Sequence, residues 1–313
     1  MAADGFLTRT LSRIRLFTDE PSINAKYTDD NLLDLIESSW ADILQELNRN
    51  SSAPIVVRHD VSVSTDATLD GNTHLLPPTV GQVLRLSKVC STTGRVEWEM
   101  MPRSRWNPAG HGIIVEGNTI QFTPYWDRGS YTLRLTYIPK GDLRLHEGTF
   151  DNSGDVAITN DTDANQAEVI LASSPGTGTL DIRPNAYAGS VLRILGDVGG
   201  SPTADYVQER IIRSYDVTTR TATVAPALTY VPSGTTVPYE IAPLLGQALD
   251  IVVALDVAAQ VIGIEGDAKR AASTERQYAR KMRTLRLNAA NLEAIVGQRF
   301  QHDTTHAERF IDW

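Results

Sequence analysis

The sequence predicts an α+β fold: an antiparallel helical bundle formed by the N- and C-terminal helices, with antiparallel β structure inserted between them. Three observations predict it. Apolar residues recur at helical spacing near the N-terminus, and they do so again from about Leu244 to Val296. Between these stretches lie roughly two hundred residues of alternating, turn-rich sequence. Each amphipathic helix must bury its apolar stripe, and the helices at the other end of the chain offer the surface to do it. On this layout residues 1–53 and 243–297 form the helical domain, 54–140 a small β domain and 141–242 a β-rich insertion. Residues 298–313 are read as a C-terminal tail.

The elements follow in order. Phe6, Leu7, Leu11 and Ile14 share one face of a short first helix, with Arg9, Arg13 and Arg15 on the rest. A polar break through Asp19, Pro21 and Asn24 separates it from a second. Thr28 is placed as that helix's N-cap, and Asp29 and Asp30 favour the positive end of its dipole. Leu32, Leu33, Ile36, Trp40, Ile43, Leu44 and Leu47 then repeat at three and four residues, the stripe of an amphipathic helix ending near Asn48–Asn50.

Pro54 opens the β region. Val57, His59, Val61 and Val63 alternate with polar residues, and Val83–Val89 and Val96–Met100 predict further strands. Ile113–Val115 and Ile120–Phe122 flank Gly117-Asn118, a hairpin turn pair. Tyr131, Leu133, Leu135 and Tyr137 form a strand closed by Pro139. In the second segment, Val169–Leu171, Val191–Leu195, Arg210–Tyr215, Arg220–Val224 and Pro238–Ile241 read as strands, with Asp216–Thr219 as a turn between two of them. Residues 142–240 hold thirteen Asp and Glu against six Arg and no Lys, so this segment is acidic.

Pro243 suits the first position of a helix. Leu244–Ile264 is apolar nearly all round and predicts a central, buried helix broken by Gly263 and Gly266. Ala271, Thr274, Tyr278, Met282, Leu285, Ala289, Leu292 and Val296 mark the stripe of a second, antiparallel neighbour ending at Gly297.

Bulk composition narrows the function classes. The chain has 313 residues, 41% of them hydrophobic, and a net charge of −9. A general nucleic-acid binder is therefore excluded, and any contact with DNA must be local. The single cysteine, Cys90, excludes an intrachain disulfide and fits folding in a reducing cytoplasm. The opening residues lack the continuous apolar core of a signal peptide. A membrane span at Leu244–Ile264 would carry Asp250 and Asp256, each costing about 2.5–3.5 kcal/mol at the bilayer centre.

No catalytic constellation emerges, and an enzyme is not expected. Phosphate-cradle, dinucleotide and nucleophile-elbow motifs are absent. Cys90 reads as a small apolar filler in a strand, His59 as a packed or exposed strand residue, and His111 as a loop residue. His302 and His306 stand four apart, but no third ligand accompanies them. Asp161, Asp163 and Asn165 imitate the start of a calcium loop. It then departs at Gln166, where glycine is needed, and at Ala172, where a glutamate is needed. No cofactor and no metal site are expected.

Two features call for partners. Lys269, Arg270, Arg276, Arg280, Lys281, Arg283 and Arg286 face Glu275 alone, which gives one helix of an acidic protein a charge of +6. Such a surface meets acid, on a protein or on phosphates. Phe300, Phe310, Ile311 and Trp313 lie in an otherwise polar terminus, where an aromatic side chain can anchor an interface.

Several segments resemble the head-to-tail adaptor (connector, neck) proteins of tailed bacteriophages. They are Tyr27-Thr28-Asp29-Asp30-Asn31-Leu32-Leu33-Asp34-Leu35-Ile36 with Trp40 and Leu47; Val115-Glu116-Gly117-Asn118-Thr119-Ile120-Gln121-Phe122-Thr123-Pro124 leading to Leu133–Pro139; and the paired helices from Leu244 to Val296. The resemblance covers about 1–140 and 243–313. The 141–242 segment, with Arg183-Pro184-Asn185-Ala186-Tyr187-Ala188-Gly189 and Gln208-Glu209-Arg210-Ile211-Ile212, looks like a module common in phage structural proteins that minimal adaptors lack.

The resemblance implies a structural virion protein in the neck, assembled in the host cytoplasm. It implies a homo-oligomeric ring, a dodecamer in most such adaptors, that sits below the portal protein and joins the capsid to the tail. Genomic DNA would pass through its channel without sequence recognition, tail, nozzle or fibre proteins would bind its distal side, and no membrane would be involved. The portal-binding candidates are Lys269, Arg270, Arg276, Arg280, Lys281, Arg283, Arg286, Phe300, Phe310 and Trp313. The alternative is a tail or baseplate component whose β region binds a receptor glycan through Tyr125, Trp126, Tyr187, Tyr206 and Tyr230.

Overall fold

A computed structural model describes residues 5–20, 26–50, 56–65, 73–90, 95–100, 112–123, 129–141, 143–150, 158–161, 165–174, 176–195, 207–229, 231–232, 237–242 and 249–304. The chain is α+β, with four described helices and antiparallel strands between the second and third. Helix α1 spans Phe6–Thr18 and α2 spans Asp29–Asn50. Helix α3 spans Asp250–Ile264 and α4 spans Ala268–Thr304.

The predicted stripes are the buried ones. Phe6, Leu7, Leu11 and Ile14 of α1 are buried, as are Leu32, Ile36, Trp40, Ile43, Leu44 and Leu47 of α2. Thr28 caps α2 as expected: its Oγ1 accepts the Asn31 amide at 3.3 Å. Asp19 closes α1 in the left-handed region at φ 57°.

Two small sheets follow α2. Strands β1 (Val57–Thr65), β3 (Val80–Val89), β4 (Val96–Met100) and β7 (Gly129–Pro139) form the first, in the order β1-β7-β3-β4. Strands β2 (Thr73–Leu75), β5 (Gly112–Glu116) and β6 (Thr119–Thr123) form the second, in the order β2-β6-β5. The β5–β6 hairpin turns at Gly117-Asn118, with Gly117 at φ 61°, as its sequence predicts. Leu86, Ile120, Leu133, Leu135 and Tyr137 share one apolar cluster.

The larger sheet has eight strands: β8 (His146–Phe150), β9 (Ile158–Asp161), β10 (Gln166–Ile170), β11 (Thr177–Gly178), β12 (Val191–Leu195), β13 (Val207–Asp216), β14 (Thr221–Ala225) and β15 (Val237–Ala242). Their order is β11-β8-β15-β12-β13-β14-β10-β9. Asp216 organises the β13–β14 turn by accepting the Thr218 amide at 2.7 Å. Strands β2, β8, β9 and β11 escape the sequence reading because they are short and lack an alternating apolar run.

One apolar cluster joins the helices to this sheet. Leu7, Ile14, Trp40, Val253, Val257, Met282 and Leu285 belong to it, and so do Val169, Leu192, Ile212, Val224 and Ile241. The first small sheet docks on the large one through buried polar contacts. The Tyr137 hydroxyl donates to the Ala188 carbonyl at 3.0 Å, and His59 Nδ1 lies 2.5 Å from the Arg213 carbonyl oxygen. Gly189, at φ 84°, leaves room for Val57; a Cβ there would stand 2.1 Å from Val57 Cγ1.

The predicted end of α3 at Ile264 holds, with the turn at Gly266, and two other expectations are corrected. Helix α4 continues through Gly297 to Thr304, since one glycine lowers helix stability by only about 1 kcal/mol, so the helix invades the segment expected to be a tail. Tyr187 is fully buried and cannot serve a glycan site. Pro243 lies outside the described residues, as do Tyr125, Trp126, Tyr206 and Tyr230.

A candidate interaction surface on the last helix

The position of α4 is set from α1 upward. The amide of Phe6 donates to the Glu240 carboxylate on β15. Those of Leu7 and Thr8 reach Glu147 Oε1 on β8 at 2.5 and 3.1 Å, and the Thr8 hydroxyl donates to Oε2 at 2.5 Å. Two carboxylates thus satisfy the open donors at the positive end of the helix dipole. Glu240 is fully buried, and the Arg193 guanidinium, 3% exposed, bridges it to Glu209. Burial holds the Glu147 carboxyl above its usual range, with the charge of Glu240 adding to the effect. Gly5 leaves the space for Glu147, since a Cβ there would lie 2.2 Å from its carboxylate oxygen.

From α1 the contacts pass to α3. Arg9 and Arg13 both pair with Asp250, the first residue of α3. The body of α3 is apolar, and Val252, Val253, Ala254, Leu255, Val257, Ala258, Val261 and Ile262 are buried. Helices α1, α2 and α4 all contact it. Gly266, at φ 87°, makes the turn into α4, and Asp267 caps that helix by accepting the Arg270 amide at 3.0 Å.

Two cations of α4 clamp it to the first helices. Arg270 donates to the Phe17 carbonyl at 2.7 Å and to Asp19 at 2.5 Å. Arg286 pairs with Glu46 of α2, and the Tyr278 hydroxyl reaches the same carboxylate at 3.4 Å. Burial pushes the Tyr278 phenol up to about 12.

The other five cations, Lys269, Arg276, Arg280, Lys281 and Arg283, are exposed and make no ion pair among the described residues. Their placement follows from the period. Ala271, Thr274, Met282 and Leu285 are buried and Tyr278 is half-buried. At roughly 100° per residue, Lys269, Arg276, Arg280 and Arg283 fall within about 60° of arc on the opposite side of the helix. The stripe therefore faces away from the subunit, and Lys281 lies to its flank. Of the aromatic candidates, Phe300 falls on the backbone of α4 with its side chain outside the description, and Phe310 and Trp313 lie outside the described residues.

Other candidate chemistry resolves into structure. His59 is buried on the Arg213 carbonyl, and desolvation holds its imidazole below its ordinary range. Asn165 turns the chain between β9 and β10 at φ 51°, and its Oδ1 accepts the Ala227 amide at 3.2 Å. Asp163 lies outside the described residues, as do His111 and His306, and the side chain of His302 is not described. Among the described residues, no group of three His, Cys, Asp or Glu could hold a metal ion. No described helix is long and apolar enough to cross a membrane.

Sequence reasoning missed the Glu147, Arg193 and Glu240 cluster. Its only signal was charge inside apolar strands, as in the Val191–Leu195 run around Arg193. Neither a protein-family model nor a curated protein sequence matches the chain.

Proposed function

We propose that this chain is a structural virion protein of a tailed bacteriophage, a head-to-tail adaptor that forms a ring below the portal. The ring joins the capsid to the tail and extends the channel through which DNA leaves. In this reading α1, α2, α3 and α4 work as one antiparallel bundle, and the sheets project from it toward tail, nozzle or fibre proteins. The C-terminal arm, cationic along α4 and aromatic at Phe300, Phe310 and Trp313, docks on the portal protein.

The observation that carries the reading is the meeting of the chain's two ends. Arg9 and Arg13 pair with Asp250, and Arg270 pairs with Asp19, across more than 230 residues of intervening sequence. A platform built this way anchors a long C-terminal helix on which Lys269, Arg276, Arg280 and Arg283 are exposed and make no ion pair among the described residues. Cyclic assembly multiplies modest contacts, and a terminal arm that orders on its partner couples binding to assembly.

The test is a truncation. A chain ending at Gly297 should keep the circular dichroism spectrum of its sheets and bundle and lose association with purified portal rings in sedimentation and electron microscopy. Normal attachment of the truncated chain to portal rings refutes the docking role.

A further inference from the structure

We infer that the stripe of Lys269, Arg276, Arg280 and Arg283 is a contact surface for the phosphate backbone of duplex DNA, held without reading its sequence. The inference deepens the ring reading and rests on it: the cationic half of the C-terminal arm meets the DNA that the ring surrounds, and the half beyond Arg286 is left to the portal.

The make-up of the face selects the occupant. Between Lys269 and Arg286, the residues within about 70° of the stripe's midline are its four cations, Ala272, Ser273, Ala279 and Thr284. No acid and no large apolar side chain stands among them, and Glu275 lies about 110° away around the helix. A protein interface seats an apolar or aromatic anchor at its centre and excludes charge from it. An interface with nucleic acid is more polar and far more positive. The stripe has the second composition. Three of its four cations are Arg, whose planar fork donates two hydrogen bonds to one phosphate. The exposed Ser273 adds a hydroxyl of the kind that contacts the DNA backbone. Tyr278 is half-buried on the packed side, so bases find no ring to stack on and the contact carries no sequence information.

The field at the stripe is positive although the chain is acidic. Residues 269–286 carry seven cations against Glu275. Acids beside the helix are engaged within the subunit: Asp19 by Arg270, Glu46 by Arg286 and Glu265 by Lys26. Asp42 and Asp256 lie toward Tyr278, on the packed side. At physiological salt, charges more than about 8 Å apart are largely screened, so the acidic remainder of the chain acts weakly there. Dimensions agree. Fourteen residues of helix separate Lys269 from Arg283, so the stripe is about 21 Å long. A DNA strand presents a phosphate about every 3.4 Å of axis, and the stripe therefore runs past about six of them. The ties at Arg270 and Arg286 hold the row of cations in place before DNA arrives.

The experiment titrates the full-length chain into a fluorescently labelled duplex of about 30 base pairs and reads anisotropy. Binding should appear at about 0.05 M salt and agree within about twofold between duplexes of unrelated sequence. The logarithm of the binding constant should fall with the logarithm of salt at a slope of about −3.6, four phosphate contacts at about 0.9 each. The variant Lys269→Gln/Arg276→Gln/Arg280→Gln/Arg283→Gln should bind at least about tenfold more weakly at about 0.05 M salt while keeping the wild-type circular dichroism spectrum. Each single Arg→Gln change should lower the slope by about 0.9, which gives the same readout if the fourfold variant disturbs folding.

No binding at about 0.05 M salt, or an affinity and slope that the variants leave unchanged, overturns the inference. So does poly-L-glutamate that displaces the labelled duplex as effectively as unlabelled duplex does, since the stripe then fits an acidic protein equally well. Self-association in sedimentation velocity that the fourfold variant abolishes overturns it in favour of a second copy. Portal capture is scored separately. Chains that bind duplex through the stripe but ignore portal rings refute the adaptor reading and leave this contact standing; chains captured by portal rings that bind no duplex overturn this inference alone.

Discussion

Replacing Glu240 by Gln probes the joint that fastens the first helix to the large sheet. The Glu240 carboxylate is fully buried and serves two donors, the Arg193 guanidinium and the Phe6 amide. The substitution keeps the shape and an acceptor for Phe6 but strands the charge of Arg193. Removing one partner of a buried ion pair costs about 3–5 kcal/mol. Arg193 keeps Glu209 at 2.7 Å, and that side chain is 57% exposed, so the expected loss sits at the lower end, about 3 kcal/mol. The reciprocal change, Arg193→Met, leaves Glu240 beside Glu147 with the amide alone and should cost about 4 kcal/mol. The double variant Arg193→Met/Glu240→Met removes both charges and fills the space with apolar atoms. It should fall short of the sum of the single losses by at least about 2 kcal/mol. Urea unfolding followed by tryptophan fluorescence measures all three, since Trp40 is 1% exposed in the same apolar cluster. A Glu240→Gln chain within about 0.5 kcal/mol of wild type, or strict additivity in the double variant, refutes the reasoning.

Three further outcomes are expected. His146 is fully buried, and desolvation pulls its imidazole down to about 3 from an ordinary 6.5. The unfolded chain therefore takes up a proton that the native state refuses, so this contribution is complete above pH 6.5 and falls by about 1.4 kcal/mol per unit as the pH drops. Glu147 acts in the opposite sense: burial raises its carboxyl, so its contribution is complete below its ordinary 4.5 and is lost as the pH rises through the raised value. His146→Phe should flatten the stability profile between pH 6.5 and 4.5 by about 2–3 kcal/mol. An unchanged slope, or an imidazole proton resonance titrating near 6.5, contradicts this. Gly189→Ala should destabilise by about 2–4 kcal/mol, since it combines a left-handed backbone with a Cβ driven into Val57; calorimetry showing an unshifted melting temperature would count against the close approach. Thr28→Ala should cost about 1 kcal/mol through loss of the α2 cap, and Thr28→Ser should restore it, both read by denaturant midpoints.

Local rules made much of the molecule legible. The α2 stripe, its Thr28 cap and the Gly117-Asn118 hairpin depend on neighbours a few residues apart, and so does the all-apolar surface of α3. The cation run on α4 was equally visible, because charge can be counted along one helix. The glycine stop at Gly297 misled, because one glycine lowers helix stability by only about 1 kcal/mol. Tyr187 looked available because a tyrosine's burial depends on what the fold lays over it.

By itself, then, the sequence determined the helical ends, the β-rich middle and the presence of a basic helix on an acidic protein. Periodicity and charge are properties of short windows, and such windows carry them without the fold. Only the tertiary structure decided which cations are spent on Asp19 and Glu46 and which remain free to meet another molecule. It also decided that the N-terminus of α1 rests on Glu147 and Glu240. Phe6 and Glu240 are 234 residues apart, and their meeting depends on strand order and helix packing throughout the chain, which no local pattern encodes.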